Sequence, residues 1–334
     1  MLTVQSSCKR LVSKKLLITV ALFLLVGAAL AAQTNYSWVG TGDGTSWYDE
    51  NNWSPVGVPG GDVADTALIN AAVAVTNLGT ANLVAGPVTV ADVTLDGGAT
   101  LQLDQQLTVS TNLEIRGGTT LDAAGNQITA GGTWNNAGAF LHNNNEVVFV
   151  DAGTVSQVLG NNIFFDFTVN ADGKAIEFEN GRSQRIEGAL TIQGSAGTAN
   201  LIRLLSTNPG NQWAIDNAGN AETVAYAFVQ DSAVSSNDIT AATSRNEGNN
   251  DTTSPGWVFT PATLTWDGSA GTNWETPENW DLGYVPNSTD DAVIDPGANS
   301  PVLTQATTIR NLTIQNGEVL DQSGFSLTID GDWD

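Results

Sequence analysis

Most of the chain alternates apolar and polar residues in short triplets. Turn residues such as Asp96-Gly97-Gly98 separate the triplets. Successive side chains of a strand point to opposite faces, so an apolar–polar–apolar triplet predicts a short strand with one buried face. No apolar stripe with helical spacing is sustained after residue 31. The pattern predicts an all-β chain. The clearest triplets are Val88-Thr89-Val90, Val93-Thr94-Leu95, Leu101-Gln102-Leu103, Leu107-Thr108-Val109 and Leu113-Glu114-Ile115.

The length of these strands favours one all-β architecture over the others. Strands of a β-sandwich usually run about five or six residues and are joined by hairpin turns. The strands predicted here are shorter, and their turns are rich in Gly and Asn. Short parallel strands that stack coil upon coil produce such a pattern, because no single coil can bury its own apolar face. The sequence therefore predicts a right-handed parallel β-helix, a β-solenoid.

A Trp-rich segment occurs twice, as WVGTGDGTSWYDENNWSPVGVPGGDVADTALI over residues 38–69 and as WDGSAGTNWETPENWDLGYVPNSTDDAVI over residues 266–294. In both copies the middle and last Trp are six residues apart (53 − 47 and 280 − 274), and a Pro follows six residues later (59 − 53 and 286 − 280). The repeat predicts two units with Trp-rich starts. The first is a Trp-capped β-helix unit over 32–260, and the second covers 261–334 and is apparently truncated.

A second shared motif shows that the units differ in length. The pattern LD-x2-G-x2-[IL]T-x2-G-x-W begins at Leu121 and again at Leu320. From Ile69 to Leu121 the chain advances 52 residues (121 − 69), whereas from Ile294 to Leu320 it advances 26 (320 − 294). The difference of 26 is close to one coil, since solenoid repeats span about 20–29 residues. The first unit is therefore predicted to contain one extra coil.

Residues 1–31 have the composition of an export signal. Four basic residues precede the apolar run LLITVALFLLVGAAL, and Ala29-Leu30-Ala31 supplies the small residues that a signal peptidase requires. Cleavage is predicted before Ala32, and the product is expected to be secreted or displayed at a bacterial cell surface. A retained anchor is the alternative, but the run is shorter than the roughly 20 residues that span a bilayer. No membrane insertion of the mature chain is expected.

Removal of this segment leaves a strongly acidic chain. The sequence has 11 Lys and Arg against 35 Asp and Glu, and four of the basic residues lie in the segment, so the mature charge is 7 − 35 = −28. Nucleic acid and anionic lipid are excluded as partners, because both need Lys and Arg at the contact. The only Cys, Cys8, lies in the segment, so disulfides cannot stabilise the mature fold.

The tryptophans of the repeated segments have two interpretations. Exposed rings would stack on sugars and suit a glycan-binding adhesin. Buried rings would instead cap the open end of a coil stack and shield its core from water. Repetition at fixed spacing favours the cap, since solenoids need atypical terminal coils. The six residues concerned are Trp38, Trp47, Trp53, Trp266, Trp274 and Trp280.

Calcium is the only cofactor that the composition suggests, because carboxylates in loops are its usual ligands. In the second unit Asp267 lies at a position that partly corresponds to Asp43. The sequence contains neither an EF-hand loop nor a glycine-rich calcium repeat. Asp65 and Asp290 are also equivalent, and they are expected to bind turn amides rather than a metal. The candidate calcium ligands are Asp43, Asp49 and Glu50.

No catalytic residue is expected. His142 is the only His and lies in the polar loop HNNNE, where a solvated side chain is the default. Polysaccharide lyases and glycoside hydrolases also use β-helices, and they need a carboxylate pair, or calcium with a basic residue. Glu177 and Glu179 share one face of a predicted strand, with Arg182 and Arg185 close by in sequence. Charged residues on the outward face of a strand give the same sequence pattern when they have no catalytic role.

Several of these motifs resemble large bacterial surface and secreted proteins built on right-handed β-helices, of the filamentous-haemagglutinin and autotransporter-passenger type. The motifs are the W-x-G…W-x5-W-x5-P opening, the strand Asn311-Leu312-Thr313-Ile314 and the G-x-W ends at Trp134 and Trp333. The resemblance implies a non-catalytic structural or adhesive module of an exported protein. Its partner would be extracellular, a glycan or a host or cell surface. The alternative is a secreted carbohydrate-active β-helix protein that binds or cleaves polysaccharide.

Overall fold

The computed structural model describes residues 33–70, 74–75, 88–295, 299–315 and 317–334. The segment predicted to be an export signal lies outside these residues. The described chain consists of strands and loops, with two short 3-10 turns at Glu50–Asn52 and Pro277–Asn279. Within the described ranges no helix is long and apolar enough to cross a membrane. The all-β prediction is confirmed.

Most strands are short and follow one another closely along the chain, whereas β5 and β7 have eight and nine residues and contribute to two ladders each. Before residue 260 they are β1 (Asn35–Trp38), β2 (Trp53–Ser54), β3 (Thr66–Ile69), β4 (Ala74–Val75), β5 (Val88–Leu95), β6 (Thr100–Gln102), β7 (Leu107–Ile115), β8 (Thr120–Asp122), β9 (Ile128–Ala130), β10 (Thr133–Asn136), β11 (Ala139–Leu141), β12 (Glu146–Phe149), β13 (Ser156–Leu159), β14 (Asn162–Phe164), β15 (Asp166–Val169), β16 (Ala175–Phe178), β17 (Ser183–Ile186), β18 (Ala189–Gln193), β19 (Ile202–Ser206), β20 (Trp213–Asn217), β21 (Ala221–Ala225), β22 (Ala227–Val229), β23 (Ser232–Ser235), β24 (Ile239–Ala242), β25 (Arg245–Asn246) and β26 (Trp257–Phe259). After it they are β27 (Thr263–Trp266), β28 (Asp291–Ile294), β29 (Thr307–Ile309), β30 (Asn311–Ile314) and β31 (Leu327–Ile329).

Successive coils of the first unit stack in three parallel ladders. The first ladder contains β1, β3, the second halves of β5 and β7, and then β10, β13, β16, β19, β22 and β25. The second contains the first halves of β5 and β7, and then β9, β12, β15, β18, β21, β24 and β26. The third runs through β4, β6, β8 and β11, and resumes as β14, β17, β20 and β23. The chain thus winds into a β-solenoid of about 11 turns, which confirms the predicted stack of parallel coils.

The strand register confirms the extra coil of the first unit. Equivalent residues of the first ladder are separated by three steps in the first unit and by two in the second. Along this ladder the first unit therefore has one step more than the second, as one additional coil requires. The steps are Ala67 to Val93 to Leu113 to Trp134 in the first unit, and Ala292 to Leu312 to Trp333 in the second.

Inward side chains form apolar columns along the axis of the stack. One residue in each coil occupies the same inward position, and its side chain packs on the equivalent ones above and below. Full burial of such a side chain stabilises the fold by roughly 1.5–3 kcal/mol, but only if the neighbouring coils are present to cover it. One such column in the second ladder is Val90, Val109, Ala130, Phe149, Val169 and Ile192, each at most 2% exposed.

Buried amides link coils within this apolar interior. Asn162 Oδ1 accepts hydrogen bonds from Trp134 Nε1 at 2.9 Å and from Asn136 Nδ2 at 3.0 Å. Asn162 Nδ2 donates in turn to Gln184 Oε1 at 2.8 Å. Buried polar groups are costly unless they are paired, and here each amide satisfies its neighbour on the next coil.

Lys174, the only Lys after the predicted signal, is fully buried between coils. Its Nζ donates to the main-chain oxygens of Gly131 at 2.8 Å, Asp151 at 3.0 Å and Thr154 at 2.7 Å. Burial lowers the pKa of Lys174 to about 8, because it disfavours the charged form. The side chain therefore ties three separate segments of the chain together from inside the stack.

The second unit packs against the first at what we call the unit joint, formed by Leu201 and Phe228 of the first unit and by Gly283 and Tyr284 of the second. A Cβ at Gly283 would lie 2.1 Å from the main-chain nitrogen of Thr198, so only Gly fits there. Tyr284 is 1% exposed, and burial raises its pKa. The joint is therefore tightly packed.

The last coil of the described chain contrasts with its equivalent in the first unit. Three apolar residues of the first unit are fully buried, because the next coil covers them. Their equivalents in the last coil are half-buried, or exposed in the case of Trp333, which is 72% exposed. The equivalent pairs are Leu121 and Leu320, Ile128 and Leu327, and Trp134 and Trp333.

Candidate functional site

The tryptophans of the first repeated segment form one buried cluster. The ring of Trp53 meets that of Trp38 edge-on at 5.0 Å and that of Trp47 at 4.9 Å. Trp53 Nε1 donates to the main-chain oxygen of Trp47 at 2.7 Å, and Trp47 Nε1 donates to that of Pro59 at 3.1 Å. The three side chains are at most 4% exposed.

The second segment repeats this cluster. The ring of Trp280 meets that of Trp266 at 5.2 Å and that of Trp274 at 4.7 Å, both edge-on. Trp280 Nε1 donates to the main-chain oxygen of Trp274 at 3.0 Å. These rings are at most 2% exposed. Equal spacing of the last two tryptophans thus corresponds to the same ring contact and the same indole hydrogen bond, whereas the bond from Trp47 to Pro59 has no counterpart, because Trp274 Nε1 is buried without a hydrogen-bond partner in the described part of the chain.

Each Trp cluster closes the first strand of its unit. In the first unit β2 pairs antiparallel with β1, while β3 pairs with the other edge of β1. Trp38 is the residue opposite Trp53, and an antiparallel bridge between Trp266 and Trp280 repeats this pairing. An edge strand that is covered in this way cannot pair with another chain. The geometry favours the cap interpretation, since stacking on sugars requires an exposed ring face.

Sequence reasoning missed Asn52 and Asn279, which have no exposed surface. Asn52 Oδ1 accepts from the main-chain nitrogens of Gly42 at 2.9 Å and Gly44 at 3.0 Å, and its Nδ2 donates to the main-chain oxygen of Ser46 at 3.0 Å. In the second unit Asn279 Oδ1 accepts from the main-chain nitrogen of Ala270 at 2.7 Å, and its Nδ2 donates to the main-chain oxygen of Asn273 at 2.9 Å. The Asn-Trp dipeptide shared by both segments was the available signal.

Two of the predicted calcium ligands accept hydrogen bonds from main-chain amides of the first Trp-bearing loop. Asp43 Oδ1 accepts from the main-chain nitrogens of Ser46 at 2.8 Å and Thr45 at 2.9 Å, and these bonds lower the pKa of Asp43. Asp49 Oδ2 accepts from the Asp43 nitrogen at 2.7 Å, which lowers its pKa too. Glu50 is exposed in the adjoining 3-10 turn. The described residues contain no group of three or more His, Cys, Asp or Glu side chains able to hold a metal ion.

Asp65 and Asp290 bind turn amides, as predicted. Asp65 Oδ2 accepts from the main-chain nitrogen of Asp62 at 3.0 Å, and Asp290 Oδ2 accepts from that of Asn287 at 3.2 Å. Both carboxylates are 2% exposed. Burial raises the pKa of Asp290, although its bonds to main-chain amides oppose that change.

His142 is not the solvated loop residue that its sequence context suggested. Its ring stacks on Phe165 at a centroid distance of 5.8 Å, and its Nε2 lies 3.3 Å from Glu187 Oε2. The ring packs there because Phe165 belongs to the following coil, which places it beside the loop.

The carboxylates of the alternative, carbohydrate-active interpretation are partly separated. Glu177 Oε2 accepts from Gln157 Nε2 at 3.0 Å, whereas Glu179 accepts from the main-chain nitrogen of Gly160 at 2.7 Å and lies 3.4 Å from Arg182. Glu179 and Arg182 line a cleft of about 460 Å³ with amide side chains. One carboxylate lines this cleft, so the pair required for glycoside hydrolysis is missing from it.

Arg185 does not join these residues. The chain turns after β16, and Arg185 lies on β17, where it binds Glu187 at 3.0 Å and Asp216 at 2.5 Å. Arg185 therefore lies apart from Glu179, although the two are close in sequence, because the chain turns between β16 and β17.

A second cleft, which we call the joint cleft, lies where the end of the first unit faces a turn of the second. Its volume is about 520 Å³. Strand β26 supplies one wall, and the turn at residues 287–289 supplies the other. No side chain that lines it is acidic or basic. The lining residues are Ser244, Asn246, Thr252, Trp257, Val258, Phe259, Asn287, Ser288 and Thr289.

No protein-family model matches the chain, and neither a curated protein nor a solved structure matches it. Its function is therefore inferred from the geometry described above.

Proposed function

We propose that the chain is a non-catalytic structural or adhesive module of an exported bacterial surface protein. The observation that carries this proposal is the coil stack of the first unit, whose strands form long parallel ladders from coil to coil. Within the first unit the described strands of successive coils are bonded through the main chain, and one apolar cluster extends along them. The second unit has a cluster of its own, which Leu201 and Phe228 of the first unit join. Such a stack separates its two ends by a constant length and suits a spacer that presents a binding surface.

The pairing of charged side chains supports a role without catalysis. Arg185 and Arg310 bind carboxylates on neighbouring strands, Asp216 and Asp291 respectively. Catalytic groups normally lie in a cleft and have a strongly shifted pKa, whereas these ion pairs are partly exposed and bridge one coil to the next. The charges thus reinforce the stack.

Export is tested by expression of the full chain in a bacterium with a signal peptidase. The secreted or surface fraction should contain a chain that begins at Ala32, as determined by N-terminal sequencing. Recovery of the protein only in the cytoplasm, with residues 1–31 intact, would contradict export.

Adhesion is tested with beads that carry the mature chain. Coated beads should adhere to cells or extracellular matrix more than beads that carry an inert protein of equal negative charge. Equal adhesion of both bead types would reject the adhesive role and leave the structural one.

The alternative is a carbohydrate-active protein, and the cleft of Glu179 and Arg182 is the observation that favours it. Incubation with polysaccharides would then release new reducing ends, and Glu179→Gln would abolish the release. We expect no release from either chain.

A further inference from the structure

We propose that the joint cleft binds a neutral oligosaccharide. This inference rests on the adhesive role proposed above and names the class of its ligand. It concerns residues of β26 and of the turn at 287–289, which lie apart from both Trp clusters.

The size and position of the joint cleft suit a small ligand. Its volume of about 520 Å³ lies within the roughly 300–1,000 Å³ of known ligand sites, which are frequent at the boundary between domains. The two walls come from different units, so a bound ligand would contact both. A ligand of this size would be held by side chains that are far apart in the sequence.

One wall of the joint cleft is aromatic. The rings of Trp257 and Phe259 stack at a centroid distance of 6.1 Å with planes 25° apart. Trp257 is buried, and its Nε1 donates to Ser232 Oγ at 2.9 Å, which holds the pair in place. Phe259 is half-buried, and Val258 beside it is 44% exposed. A ligand can therefore reach Phe259 and Val258 but not Trp257, and these two side chains offer an apolar surface for the C–H face of a sugar ring.

The opposite wall carries hydrogen-bonding groups that are available to a ligand. Asn287 Oδ1 accepts from the main-chain nitrogen of Thr289 at 2.9 Å, which orients the side chain and leaves its Nδ2 without a partner among the described residues. Ser288 is exposed at the tip of the same turn, and Thr252 is exposed on the first unit. Amides and hydroxyls of this kind pair with sugar hydroxyls, which both donate and accept.

The uncharged lining of the joint cleft and the negative charge of the chain favour a neutral ligand. No charged side chain lines the joint cleft, and the whole chain has a formal charge of −24. A polyanion, such as a uronate polymer or a nucleic acid, would be repelled by this field and would find no cation at the contact. An uncharged ligand that combines apolar faces with many hydroxyls is a carbohydrate.

The test is a titration of the mature chain with neutral hexose and N-acetylhexosamine oligosaccharides, and with oligogalacturonate as the anionic comparison. Tryptophan fluorescence and calorimetry report binding. Ser288→Trp fills the cleft from an exposed turn residue. Val63→Trp is the matched control, because Val63 is 64% exposed and occupies the equivalent turn of the first unit, two residues before Asp65 as Ser288 is two residues before Asp290. Phe259→Ala removes the half-buried aromatic ring of the cleft wall, and thermal unfolding checks that each variant is folded.

We expect one class of neutral oligosaccharide to bind, with at least tenfold weaker binding in Ser288→Trp and Phe259→Ala and unchanged binding in Val63→Trp. Binding that survives Ser288→Trp, preference for the anionic oligosaccharide, or absence of binding at millimolar concentration would each overturn the proposal. Beads that carry Ser288→Trp separate the two proposals. If they adhere normally, the joint cleft is not the adhesive site, but the adhesive role stands.

Discussion

The indole N–H of Trp53 donates to the main-chain oxygen of Trp47 over 2.7 Å, and the two rings also meet edge-on at 4.9 Å. The bond joins residues six apart, and Trp280 repeats it with Trp274. A ring nitrogen reaches that oxygen only if the intervening turn has one length and one shape. The bond therefore explains why this spacing is identical in the two units, whereas the spacing to the first Trp is not.

Replacement of the buried amide in the first Trp-bearing loop should destabilise the fold. Asn52→Ala leaves the main-chain nitrogens of Gly42 and Gly44 unpaired, and we expect a loss of about 2–3 kcal/mol in the free energy of unfolding. Asn51→Ala is the control, because Asn51 is exposed and should change stability by no more than about 0.5 kcal/mol. Urea unfolding followed by tryptophan fluorescence measures both. Equal effects would show that the buried amide is dispensable.

Two tryptophans that occupy equivalent positions of the repeat should respond differently to truncation. Trp134 is fully buried, and Trp134→Ala should cost about 3–5 kcal/mol through the cavity it leaves. Trp333 is 72% exposed, so Trp333→Ala should change stability by about 0.5 kcal/mol or less. Urea unfolding measures the free energy of unfolding of both variants. A large loss for Trp333→Ala would mean that another surface covers the last coil in solution.

The buried amine of Lys174 should make stability depend on alkaline pH. Its pKa is about 8 in the folded chain against 10.5 for an unperturbed Lys. Between these values the unfolded chain binds more protons than the folded one, so stability rises with pH. The cost of burying the charge is present below pH 8 and is lost as the pH rises to 10.5. Lys174→Met lacks this titration, and the advantage of the wild type over it should grow across that interval. Parallel stability curves for the two chains would contradict the assignment.

Calcium should leave the stability of the mature chain unchanged. The oxygens of Asp43 and Asp49 already accept hydrogen bonds from main-chain amides. We expect the same melting temperature in millimolar calcium and in excess chelator, by calorimetry. A calcium-dependent rise that disappears in Asp43→Asn would instead establish a metal site in this loop.

Alternation with period two was sufficient to predict the coils, because it fixes which face of each strand is buried. Alternation did not predict which outward residues are buried at the unit joint. In β22 alternation places Ala227 and Val229 inside and Phe228 outside, yet all three are buried, because the second unit covers the outer face. Exposed outward residues such as Ile163 and Val258 look the same in the sequence. Only the fold shows which outward apolar residue is covered.

The remaining differences arise at the corners of the coils. Glu179 and Arg185 are close in sequence, but the chain turns between them, so that Glu179 follows β16 of one sheet and Arg185 lies on β17 of another. Lys174 follows Asp172 and Gly173 and reads as part of an exposed turn, whereas its side chain enters the stack. The direction of a side chain at a corner depends on the neighbouring coil, which the local sequence does not describe.

The orientation of the main-chain hydrogen bonds has a mechanical consequence. They run along the axis of the stack, across strands that lie roughly perpendicular to it. A load applied between the two ends therefore stretches these bonds lengthwise, one rung after another, instead of shearing many rungs at once. The end coil detaches first and its chain straightens, while the coils behind it keep their shape. Under tension such a protein is therefore expected to lengthen one coil at a time, and each unfolding coil dissipates part of the applied force.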